Sequence, residues 1–65
     1  MALPMYSRVR LLTDKYQSKG VSIGAIGFII EIYGDEAYEV EFSDKNGITI
    51  ALFAIPQDEV ELAEE

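Results

Sequence analysis

From Ile26 onward the chain breaks into short runs that read with a period of two, the pattern of strands rather than of helices. The clearest stretch is residues 37–42, where Tyr38, Val40 and Phe42 point to one face of a strand and Glu39 and Glu41 to the other. Ahead of it, residues 26–33 place Ile26, Phe28, Ile30 and Ile32 on an inner face, with Gly27, Ile29, Glu31 and Tyr33 opposite. A further strand over residues 48–55 is apolar on nearly both faces: Ile48, Ile50, Leu52 and Ala54 alternate with Thr49, Ala51, Phe53 and Ile55. A first strand at residues 7–13 turns Val9 and Leu11 one way and Arg8, Arg10 and Leu12 the other. A short last strand at residues 60–62 turns Val60 and Leu62 inward.

The segments between these runs are turn sequences. Residues 14–25 read as a long polar loop, with room for one helical turn, in which Gly24 suits a positive φ. Gly27 suits a bend or bulge where a sheet curves. Gly34-Asp35-Glu36 closes one hairpin, and Asp44-Lys45-Asn46-Gly47 is a second turn, in which Asn46-Gly47 is the two-residue hairpin signal because both residues tolerate positive φ. Pro56 ends the fourth strand, and residues 56–59 suit a single 3₁₀ turn. This order predicts an all-β fold, a small SH3-like five-stranded barrel with a short 3₁₀ turn before the last strand. A meander that closes only by dimerising is the other arrangement the order permits. One domain over residues 1–65 is expected, with flexible ends at 1–6, where Pro4 removes a donor, and at 63–65.

The chemistry open to the chain is narrow. It has no cysteine and no histidine, which removes disulfides, thiolate metal sites, the commonest transition-metal ligand and the commonest general base near neutral pH. A serine nucleophile would have to rely on Lys15, Lys19 or Lys45, all in expected loops. Glu39 and Glu41 share an outer strand face, where solvation rather than acid–base work is the ordinary role of two carboxylates. Asp44-Lys45-Asn46-Gly47 lacks the remaining ligands of a calcium loop, and the glycines match neither a dinucleotide nor a P-loop pattern. No catalytic residue, no cofactor, no metal site and no small-molecule substrate are expected.

Binding is what remains. The formal charge of −7 is uneven: Arg8, Arg10, Lys15 and Lys19 face only Asp14 up to residue 19, whereas Lys45 faces eleven acids thereafter. The acidic part repels phosphate backbones and favours encounter with a basic protein. Hydrophobic residues make up 49% of a chain with a thin core, which favours a homo-oligomer or a heteromeric complex. The expected contact residues are Tyr16 and Tyr33, the acids Glu39 and Glu41, and the second face of the fourth strand, Ala51, Phe53 and Ile55. No run of apolar residues is long enough to span a membrane and the N-terminus has no signal-peptide pattern, so a cytoplasmic location is expected.

Gly24-x-x-Gly27, then Ile29-Ile30-Glu31-Ile32-Tyr33, then Ala37-Tyr38-Glu39-Val40-Glu41-Phe42, then Gly47-x-Thr49 and a leucine-bearing strand together resemble a family of short uncharacterised bacterial proteins, over residues 9–62. The resemblance implies a stand-alone small β-barrel without catalytic residues, in the manner of antitoxin or immunity proteins that neutralise a cationic partner. The stretch from Gly24 to Ile29 also resembles the centre of KOW modules, which bind RNA or neighbouring proteins. The acidic balance argues against the RNA version.

Overall fold

The computed structural model describes residues 2–64. Five strands form one antiparallel sheet: β1 (Arg8–Leu11), β2 (Ile26–Tyr33), β3 (Ala37–Ser43), β4 (Thr49–Pro56) and β5 (Val60–Leu62). Their order across the sheet is β4-β3-β2-β1-β5. One 3₁₀ turn, Gln17–Lys19, lies in the long loop, and a second, Gln57–Glu59, follows Pro56 and leads into β5, as the sequence predicts. The expected closed barrel does not form. Among the described residues β4 and β5 share no register, so both are edges. Three residues of β5 are used in pairing with β1 and offer little length for a second partner.

The core lies under one face. Val9, Leu11, Ile29, Tyr38, Val40, Phe42 and Ile55 are buried together with Val21 and Val60. At about 1.5–3 kcal/mol for each large side chain removed from water, this cluster is the main favourable term in the fold. The side left open by the missing closure is covered by chain. Ala2 and Leu3 pack against the core, and the Leu3 N–H donates to Tyr38 Oη at 2.8 Å. From the long loop, Tyr16 packs against Phe53 with the rings tilted by 53° and their centroids 4.9 Å apart. The N-terminal arm is thus docked rather than loose, and Ala63 is buried, its N–H donating to the Arg8 carbonyl at 2.9 Å. The expectation of flexibility at Met1 and Glu65 lies outside the described residues.

Two strands depart from simple alternation. In β2 the register runs Gly27–Phe42, Phe28–Glu41 and Ile29–Val40, then resumes at Glu31–Glu39, leaving Ile30 as an extra residue. This bulge reverses the facing of everything before it. Ile29 is therefore in the core and Phe28 is 46% exposed, the opposite of the expected assignment. In β4, Ile55 is fully buried opposite Tyr38, with Ala51 and Phe53 packed on the core behind it, while Ile50 and Leu52 are exposed. The faces of this strand are thus also opposite to those expected. Leu62 is exposed rather than inward.

The β3–β4 connection is also not the tight two-residue turn. Asp44 and Ile48 close it through an Asp44 N–H to Ile48 carbonyl bond of 2.9 Å, with Lys45, Asn46 and Gly47 between them. Asp44 Oδ1 accepts from the N–H groups of Asn46 and Ile48 at 2.8 and 3.0 Å, and only Gly47 takes a positive φ, of 80°.

Candidate functional site

The sheet has one face without a covering layer, and the strand registers say which side chains share it. Arg8, Phe28, Glu41 and Leu52 stand opposite one another in a single row across β1, β2, β3 and β4. A neighbouring row runs Glu31, Glu39 and Ala54. On the other side lie Arg10, opposite both Ile26 and Glu61. The face therefore reads basic on β1, apolar at Phe28, acidic along β2 and β3, and apolar again at Leu52, which is 50% exposed.

Hydrogen bonds hold two of the carboxylates. The Tyr33 hydroxyl donates to Glu39 Oε1 at 3.0 Å, and Thr49 Oγ1 donates to Glu41 Oε2 at 2.6 Å. The bond to Glu39, with partial desolvation and the negative charges of Glu39 and Glu31, raises the Tyr33 pKa above its ordinary value and keeps the hydroxyl a donor. Among the described residues, none of Glu31, Glu39 and Glu41 forms an ion pair. Glu31 and Glu39 are directly opposed, an arrangement that costs a sheet stability. The face thus carries an uncompensated anionic stripe between two exposed apolar side chains.

Of the residues expected to contact a partner, Tyr33, Glu39 and Glu41 are brought together here. Tyr16, Ala51, Phe53 and Ile55 are on the opposite side of the sheet. Tyr16 is half-buried there, donating to Glu59 Oε1 at 2.6 Å, with the Lys15 ammonium on the other Glu59 oxygen. Burial alone would push the Glu59 pKa up, but the hydrogen bonds from Lys15 and Tyr16 and the Lys15 charge outweigh it and hold the carboxyl below its usual range. The Lys19 ammonium sits 5.2 Å from the centre of the Phe53 ring. These contacts fasten the long loop to β4 and to the turn before β5.

Phe28 and Leu52 are the site residues that sequence reasoning placed inside. For Leu52 a signal was present: counting back from a two-residue Asn46-Gly47 turn pairs Val40 with Phe53 and Glu41 with Leu52. That register holds, because the longer turn and an extra residue at Ile50 cancel one another. For Phe28 no signal exists, since Phe28, Ile29 and Ile30 are equally apolar and nothing marks which one is supernumerary.

No pocket opens among the described residues. A family model described as a domain of unknown function (DUF4926) matches residues 5–62. No curated protein and no solved structure matches the chain.

Proposed function

The chain belongs to this family of domains of unknown function, and from its surface chemistry we propose that it is a non-catalytic protein-binding module whose open sheet face takes a basic protein partner. One observation carries the reading: Phe28, Glu41 and Leu52 stand side by side on that face, with Glu31 and Glu39 beside them and, among the described residues, no cation paired to any of the three acids. Exposed apolar side chains gain by leaving water, and the carboxylates select a partner that presents Lys or Arg between its own apolar groups. An antitoxin or immunity protein that neutralises a cationic partner has this requirement. The strand order and the 3₁₀ turn before β5 support an SH3-like arrangement that is left open rather than closed.

The N-terminal cations support a protein partner over a nucleic acid. Arg10 pairs with Glu61 at 2.7 Å, Lys15 pairs with Glu59, Lys19 lies over Phe53, and Arg8 donates to the Ala63 carbonyl at 3.1 Å. Each is engaged within the fold, so none is held out for phosphate. The chain's lack of histidine and cysteine supports a role without turnover.

The test is affinity capture from a native cell lysate followed by binding kinetics with the captured protein. Phe28→Ala is expected to weaken the complex by about 2 kcal/mol, as central aromatic contacts do. Glu39→Lys is expected to slow association and flatten its dependence on salt. A complex indifferent to both substitutions removes this face from the interaction and with it the proposal.

A further inference from the structure

The two edges of the sheet are built differently, and the difference points to a second copy of this chain. β5 is three residues long and carries Glu61, with Glu64 just beyond it. Short length and charge are ordinary defences of an edge strand. β4 has eight residues, Thr-Ile-Ala-Leu-Phe-Ala-Ile-Pro, and no charge at all. Its only interruptions are the irregularity at Ile50 and the terminal Pro56. Among the described residues its backbone hydrogen bonds run to β3 alone, and no other segment bonds to its far side. Half of its N–H and C=O groups therefore face outward in a row, ready for a ladder.

We propose that β4 pairs antiparallel with β4 of a second copy, joining the two five-stranded sheets into one. Charge decides the occupant. The chain carries −7, so a dimer is possible only where the copies meet without opposing their acids. Along β4 they do: an uncharged strand meets an uncharged strand, and Ile50, Leu52 and Ala54 of one copy flank the same residues of the other. The nearest acid stripe, Glu39 and Glu41, lies one strand in, on β3. In the joined sheet the two β3 strands are three spacings apart, about 14 Å. That exceeds the screening length of roughly 8 Å at physiological salt. An extended basic peptide, by contrast, finds no carboxylate on β4 to recognise. The pairing is two-fold and self-complementary, and it leaves only the guarded β5 edges outside, so assembly stops at a dimer.

Sedimentation equilibrium of the full chain across the micromolar range tests this. Twice the chain mass of 7.3 kDa is expected, with a dissociation constant raised by about tenfold or more in Ala54→Lys, which places a charge on the edge. Ala54 is exposed and lies opposite Glu39, so the substitution suits the monomer fold. Hydrogen exchange on the unaltered chain gives a second readout, in which alternate β4 amides gain protection as concentration rises. A species of 7.3 kDa throughout overturns the proposal, as do β4 amides that exchange equally fast at all concentrations. A dimer unchanged by Ala54→Lys but dissociated by Phe28→Lys also overturns it, in favour of packing through the sheet face.

Discussion

Gly27 is fixed by contact, not by backbone angle. A Cβ there would stand 2.7 Å from Val40 Cγ1, 2.9 Å from the Glu41 carbonyl oxygen and 2.9 Å from Phe42 Cδ1. The carbonyl belongs to the sheet and cannot swing away. Gly27→Ala is accordingly expected to destabilise by about 1–3 kcal/mol, read as a lower denaturant midpoint at unchanged slope. Gly24 is the other kind of glycine: its φ is 88° and a Cβ would meet nothing, so its constraint is conformational. The sequence distinguished the two in outline, since Gly24 sits in a loop and Gly27 inside a strand pattern. It could not supply the reason for Gly27, because the crowding comes from Val40, Glu41 and Phe42 of β3, thirteen to fifteen residues on. The opposed Glu31 and Glu39 give the converse case. Glu31→Lys is expected to raise stability by about 0.2–1 kcal/mol and to weaken capture of a basic partner. A variant that gains stability and keeps its partner would show that this acid plays no part in binding.

Among the elements, β3 was fully legible, because its glutamates alternate with large apolar residues and leave one assignment. β2 and β4 were legible as strands, but alternation alone did not give their faces, and only for β4 did the count back from Asn46-Gly47 carry them. Their patterns are apolar on both sides, and a bulge in such a run moves no polar residue to betray it. Ile55 shows the cost of the ambiguity: expected on a contact face, it is wholly buried against Tyr38. Ile55→Ala is expected to lose about 2–5 kcal/mol of folding free energy in chemical denaturation. The loop between β1 and β2 is held by Glu59, whose lowered pKa sets a pH dependence. A carboxyl that is more acidic in the fold stabilises it above the unfolded value, near 4.5, and that contribution is lost as pH falls through the lower folded value. Stability is thus expected to decline below about pH 4.5, and Glu59→Gln should flatten that decline in acid titrations followed by circular dichroism. An identical acid limb in the variant would mean that other carboxyls govern it.

At the scale of the molecule, an open sheet of five strands is kept together by a core on one side and by its own loop and N-terminal arm over that core. The alternation and turn signals were enough to foresee the strand number, their order in the chain and the 3₁₀ turn. Closure was not foreseeable, since it depends on whether two distant edges reach one another. With a net charge of −7 and, among the described residues, few ion pairs, the folded state works against its own repulsion. Raising ionic strength from low to physiological values is expected to raise the melting temperature, and a flat response would show that the surface acids are too dispersed to matter.

The supernumerary Ile30 has a consequence for how such a chain tolerates change. Replacing Ile30 with another apolar residue leaves the strand's two halves facing as they do. Losing it in frame would make Ile29–Val40 and Glu31–Glu39 consecutive pairs of a regular ladder, with Ile29 still in the core and Phe28 still outside. The bulge thus takes up a surplus residue of the gene without exchanging the exposed face of the sheet for its interior.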